Sequence, residues 1–159
     1  MNNSYSNNIL ATLCYVVKDG KVLMLHRIKK ENDMHRGKYN GLGGKMEKGE
    51  TPYECVAREV REEAGIEIKD PLLSGIINFP DFDGKNNWLV FVFLVESFHG
   101  NLIDSKEGIL EWIDIDKISE LNLWEGDYLF LKYVFEKKFF YASFYYSENK
   151  LIDYRIQIP

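Results

Sequence analysis

Apolar positions along this chain come mostly in short runs broken by polar, glycine-bearing punctuation, and the clearest helical period falls near the middle. Residues 9–17 are apolar and β-rich, Asp19-Gly20 is a hairpin dipeptide, and residues 21–26 resume the apolar pattern, so a strand pair is predicted. Residues 27–39, with Lys29, Lys30, Glu31, Asp33 and Arg36, have no period and predict a loop leading into Asn40-Gly41-Leu42-Gly43-Gly44-Lys45. Strands are predicted at 73–79 and 88–98 around a turn at 80–87, with a short strand at 108–113. Residues 114–121 and 127–135 predict helices, and 139–146 with 151–158 a closing hairpin over 147–150. Strands before, between and after a few helices predict an α+β sandwich with a mixed β-sheet. No repeat, low-complexity tract or linker interrupts it, so residues 1–159 read as a single domain.

Residues 51–65 carry the best-marked helix. Thr51 suits the N-cap, Pro52 the first helical position and Glu54 the far side of a capping box, while Gly65 supplies the stop. At 100° per residue, Tyr53, Val56, Ala57, Val60 and Ala64 share one arc, predicted to face the core. Glu59, Glu62 and Glu63 fall on another, at i, i+3 and i+4, where like charges crowd and destabilise an isolated helix. A solvated acidic face is the plain reading of such a triplet. The glycine-rich turn at 41–49, which lets backbone approach a ligand, and Arg58, able to hold a carboxylate through two hydrogen bonds, favour a site for a hard divalent cation instead.

Composition narrows the partners. With 159 residues, 45% of them hydrophobic, the chain can bury one sizeable core. A net charge of -5 argues against a broad basic surface gripping a nucleic-acid polymer, so a phosphate-bearing partner is expected to be met through a metal ion. The polar N-terminus and the lack of a long apolar run predict no signal segment and no membrane contact, and a cytoplasmic protein. Cys14 and Cys55 form no CxxC pair, which leaves a disulfide framework or zinc site unsupported. His26, His35 and His99 lack metal-ligand spacing and receive no role.

The string Gly44-x5-Glu50-x7-Arg58-Glu59-Val60-x-Glu62-Glu63-x-Gly65-Ile66 resembles the signature of the Nudix hydrolases at every fixed position. That resemblance implies a Nudix-type α/β/α sandwich in which Glu59, Glu62 and Glu63 bind magnesium, with manganese as an alternative ion, and the Gly44 carbonyl joins them. Glu50 and Arg58 would brace loop and helix. The chemistry implied is attack of water on a diphosphate linkage, with metal ions polarising phosphoryl oxygens. Lys38-Tyr39-Asn40-Gly41-Leu42-Gly43-Gly44-Lys45, Asn122-Leu123-Trp124-Glu125-Gly126-Asp127 and Leu151-Ile152-Asp153-Tyr154 resemble the MutT-type branch, which cleaves oxidised purine nucleoside triphosphates such as 8-oxo-dGTP.

By the same resemblance Asn40 and Asp127 would read the base edge, Trp124 would stack on the ring, and Met34, Phe79 and Trp88 would line the pocket. Each of these aromatics also suits a core, and Asn40 before glycine also suits a plain turn. Vertebrate members of the branch carry two adjacent aspartates where this chain has Gly126-Asp127, a departure that bears on oxidised adenine nucleotides. Glu107 aligns with a loop glutamate that approaches the metal or the water in relatives, and also suits a surface loop. Arg27 and Lys45 are the nearest basic side chains for a triphosphate, or are solvated. Other diphosphate substrates, namely ADP-ribose, a nucleotide sugar or an RNA 5′ end, and a nucleotide-sensing module without turnover, stand beside the leading reading. Either a monomer or a dimer is compatible with it.

Overall fold

The computed structural model describes residues 7–159. Strands β1 (Asn8–Lys18) and β2 (Lys21–His26) form the predicted hairpin, with Asp19 and Gly20 both at positive φ in the turn. Their pairing is brief: only Val17–Val22 and Lys18–Lys21 face each other before β2 leaves. β2 then pairs with β3 (Tyr39–Asn40) and, along its whole length, with a later strand. The space so opened beside the first half of β1 is filled by the glycine loop. Thr12 N–H donates to the Gly44 carbonyl at 2.9 Å, Leu42 N–H to the Cys14 carbonyl at 2.9 Å, and Met46 N–H to the Leu10 carbonyl at 2.9 Å.

Helix α1 (Pro52–Ala64) begins and ends where its caps require. The Thr51 hydroxyl accepts from Glu54 N–H at 3.2 Å, the Glu54 carboxylate accepts from Thr51 N–H at 3.0 Å, and Gly65 closes the helix at φ 78°. Val56, Val60 and Ala64 are fully buried as predicted, each large apolar side chain contributing about 1.5–3 kcal/mol. Tyr53 corrects the predicted arc: it is 54% exposed, while Cys55 takes the inward place in the first part of the helix.

Beyond α1 come β4 (Glu67–Lys69), β5 (Leu72–Phe79), β6 (Asn87–Val95), β7 (Ser97–His99) and β8 (Ile109–Asp114). The run predicted as one strand over 88–98 is therefore two, parted at the exposed Glu96. β7 turns aside to pair with β4 in a separate ribbon, Glu67 opposite His99. Three-residue β4 leaves too short a pattern to be read from sequence. The helix predicted at 114–121 is a 3-10 helix over Ile115–Glu120, and α2 (Asp127–Phe135) has its predicted bounds. The hairpin β9 (Phe140–Ser147) and β10 (Lys150–Gln157) closes the chain.

The main sheet runs β10-β9-β5-β6-β1-β2-β3, with β8 also on β2. It is mixed, since β1–β6 and β5–β9 are parallel and the other pairs antiparallel. Alternation along β1, β2 and β6 sorts the core into two layers. Cys14, Val16, Leu23, Leu25, Phe93 and Val95 pack under α1, while Ala11, Tyr15, Val22, Met24, Val92 and Leu94 pack under α2. The result is an α/β/α sandwich in which β1 and β2 part early within the sheet.

Candidate active site

The glycine loop and α1 are locked together by backbone that no larger residue could supply. At Gly43, with φ 151°, a Cβ would stand 2.0 Å from the Thr12 carbonyl oxygen. This close approach lets the Gly43 amide donate to Glu63 Oε1 at 2.8 Å. The Gly44 carbonyl faces β1, accepting from Thr12 N–H at 2.9 Å and from the Cys55 thiol at 3.6 Å. Arg58 closes the other side. Its Nε and Nη2 grip the Glu50 carboxylate at 2.6 and 2.9 Å, Nη2 also reaches the Lys45 carbonyl, and Nη1 donates to Glu59 at 2.8 Å and Glu62 at 3.2 Å. The Arg58 bond, aided by the Glu47 amide, holds the Glu50 carboxyl down at about 2.

The three helix glutamates thus have different surroundings. Glu63 is buried, and burial pushes its carboxyl up to about 8, with Glu59 and Glu107 adding to the rise against the Gly43 amide and Arg27. Burial also raises Glu59, although Arg58 opposes it. Glu62 is more than half exposed. Glu107, across the cleft, is held by Lys30 Nζ at 2.9 Å to both oxygens and lies 3.8 Å from Arg27 Nη2. Among the described residues no three such side chains converge into a ready coordination set. Their chemistry nevertheless fits a hard divalent cation: all donors are carboxylate oxygens, and the two most buried are raised by burial and by neighbouring carboxylates.

Beside this cluster, on the α2 side of the sheet, opens a cavity of about 210 Å³. Its wall at the cluster end is Arg27, Gly43 and Gly44, and its polar interior is formed by Asn40 and Asp127. Burial holds the Asp127 carboxyl up at about 7, against the pull of Lys38. Met34, Phe79, Trp88 and Trp124 supply apolar lining. Both indoles are anchored through their N–H groups: Trp88 donates to Asp83 at 3.0 Å and Trp124 to His35 Nδ1 at 2.8 Å. An ammonium lies over each ring, Lys45 5.4 Å from Trp88 and Lys38 5.1 Å from Trp124.

The glycine loop and the carboxylate helix that follows it lie within the stretch matched by a known protein family. The NUDIX domain profile matches residues 8–134. The chain belongs to the Nudix hydrolase family. An uncharacterised Nudix hydrolase of Bacillus subtilis, YvcI, is 36% identical over 91% of this chain and 92% of its own length. The oxidized purine nucleoside triphosphate hydrolase of Danio rerio is 33% identical over 90% of each. Among solved structures, a MutT protein from Bacillus halodurans superposes with a TM-score of 0.83 at 34% identity, covering 93% of this chain and 97% of that one.

The Nudix fold gathers most of the residues singled out from sequence. Arg27, Met34, Asn40, Gly44, Phe79, Trp88, Trp124 and Asp127 all border the one cavity. Lys45 stands over Trp88 at its margin, and Glu59, Glu62, Glu63, Arg58 and Glu107 form the adjoining charged cluster. Sequence reading passed over His35, Phe82 and Tyr146, which also line the cavity. Phe82 lies in a predicted turn and Tyr146 at a strand end, where pattern alone assigns no role. His35 sits in a charged loop whose only signal is the Asp33-x-His35 spacing.

Proposed function

We propose that this Nudix hydrolase cleaves oxidised purine nucleoside triphosphates, 8-oxo-dGTP among them, to the nucleoside monophosphate and pyrophosphate, and so clears them from the nucleotide pool. The observation that carries the reading is the continuity of one cavity from Asn40 and Asp127, beside aromatic walls, to Arg27 and Gly43 at the carboxylate cluster. A purine has a flat face for the indole and phenyl rings and N–H and carbonyl edges for an amide and a carboxyl. The Danio rerio relative, named for that activity, supports it.

Glu59, Glu62 and Glu63, with Glu107 opposite, would hold magnesium, which supplies neutralisation of phosphoryl charge and a more acidic water. The chain's own groups do the rest. Arg27 and Lys45 meet the triphosphate, Asn40 and Asp127 fix the base, and Glu107 receives a proton from the attacking water. The water oxygen bonds to the β-phosphorus, the bond from that phosphorus to the α–β bridging oxygen breaks, and the bridging oxygen departs with the monophosphate. Hydrolysis in heavy-oxygen water then labels pyrophosphate and leaves the monophosphate unlabelled.

Steady-state kinetics with magnesium should give a kcat/KM for 8-oxo-dGTP well above that for dGTP, ADP-ribose or a nucleotide sugar; equal values for 8-oxo-dGTP and dGTP remove the specificity. Glu63→Gln should lose turnover and keep its fold. Tight binding of 8-oxo-dGTP without turnover in the unaltered protein would instead support a sensing module.

A further inference from the structure

The loop between β2 and β3 contains a nearly buried carboxylate, Asp33. Asp33 is 7% exposed at its side chain, although the loop around it is charged and largely open. Both its oxygens are used, each toward a different end of the cavity. Oδ2 accepts from Arg27 Nε at 2.8 Å, and Oδ1 accepts from the His35 backbone N–H at 3.0 Å. Burial alone would raise this carboxyl, but the His35 amide and the Arg27 guanidinium outweigh it and hold it below its ordinary range.

His35 continues the chain of contacts. An indole N–H can only donate, so Nδ1 accepts and the ring proton sits on Nε2. Burial, helped by Arg27, keeps the imidazole neutral by lowering it to about 4. The ring meets Trp124 edge-on at 5.5 Å and lies 6.2 Å from Phe82, nearly parallel to it. Arg27 in turn reaches toward Glu107. An unbroken set of bonds therefore joins the aromatic end of the cavity to its charged end, along Trp124, His35, Asp33 and Arg27.

We propose that Asp33 and His35 are positioning residues of the substrate site, one carboxylate setting Arg27 on the phosphate side and, by holding the His35 backbone amide, the imidazole that receives the Trp124 indole on the base side. The inference rests on reading the cavity as a nucleotide site. It makes the distance between indole and guanidinium a property of one short loop segment rather than of two separate parts of the fold. A nucleotide whose base seats correctly on Trp124 then presents its phosphates to a prepositioned Arg27.

His35→Phe keeps a ring and removes the acceptor, whereas His35→Gln offers an amide oxygen in its place. The chain has three tryptophans, so nitrogen-labelled protein gives three indole N–H resonances. The Trp124 resonance should move in His35→Phe and return toward its original position in His35→Gln, in a measurement that needs neither substrate nor turnover. With a purine nucleoside triphosphate, His35→Phe should raise KM by about tenfold with a smaller change in kcat, as misplacement of a binding group does. His35→Gln should recover most of this, and His35→Phe with Trp124→Phe should cost little more than either alone. Asp33→Asn, which keeps the acceptor for the amide and loses the charge opposite Arg27, should lower kcat as well. An unmoved Trp124 resonance in His35→Phe, or fully additive costs in the double variant, overturns the proposal. If the resonance behaves as stated while oxidised purines prove poor substrates, the brace stands and the substrate reading fails.

Discussion

The carboxyl group of Glu59 lies directly against the α-carbon of Gly44, so that a Cβ there would stand 2.6 Å from Glu59 Cδ and 2.7 Å from both its oxygens. Gly44 and Glu59 are therefore one structural unit, although 14 positions, residues 45–58, separate them in sequence. Gly44→Ala must push the flexible carboxyl aside and leave the backbone ladder to β1 in place. The expected result is a folded protein whose affinity for magnesium or manganese falls about tenfold or more, as when groups supporting a metal ligand are displaced. Calorimetric titration with either ion tests it; unchanged affinity would show that Glu59 does not need its present position.

Arg58 is the hub of five carbonyl and carboxylate partners from the glycine loop and the helix: Glu50, the Lys45 carbonyl, Glu59, Glu62 and, at 3.7 Å, Glu47. A lysine at this position keeps the charge and cannot reproduce the two-pronged grip on Glu50. Arg58→Lys should lower kcat/KM by about tenfold or more, the scale expected for loss of orientation. Retention of full activity by this variant would mean that charge alone suffices.

Asp127 connects pH to stability and to the proposed base contact. Its folded carboxyl, at about 7, lies above the unfolded reference of 3.8, so the folded protein holds this proton more tightly. Its stabilising contribution is complete below the unfolded value and is lost as pH rises through about 7. Melting temperatures of nucleotide-free protein should therefore show a component that falls between these limits, absent from Asp127→Asn. The same variant should lose an inflection near neutrality in the pH profile of KM for purine nucleotides. Matching pH profiles in the two proteins would remove Asp127 from both effects.

Gly126 has tight room for a second aspartate, the residue that the resemblance to the vertebrate enzyme implies beside Asp127. A Cβ there would stand 2.9 Å from the Tyr146 hydroxyl and 3.1 Å from the Phe144 ring, and the Gly126 amide donates to that hydroxyl at 2.7 Å. Gly126→Asp should cost roughly 1–3 kcal/mol, as overpacking does, and should not confer activity on oxidised adenine nucleotides. Unfolding by denaturant gives the first figure and a substrate comparison the second; a variant of undiminished stability would show that Tyr146 yields freely.

Local order was legible wherever the information is local. The Thr51–Glu54 capping box, the Gly65 stop and the Asp19-Gly20 turn are contacts between residues a few positions apart, so residue type and spacing suffice to name them. Where a partner lies elsewhere, the pattern misled or fell silent. Tyr53 shares an arc with Val56 and Val60 and is nevertheless exposed, Cys55 being buried instead; residues 88–98 read as one strand and split because β4 recruits Ser97–His99.

The same division runs through the site. Sequence by itself determined that three glutamates crowd one helical face after a glycine turn, and that a neighbouring arginine accompanies them, since those relations follow from helical period and chain spacing. Only the tertiary structure decided that Glu63 turns inward to the Gly43 amide while Glu62 stays in solvent, and that His35 leaves a charged loop to receive the Trp124 indole 89 positions away. Burial and hydrogen-bond partnership depend on which strands lie side by side. The early parting of β2 from β1, drawn away by β8, opens the gap into which loop, helix and pocket converge.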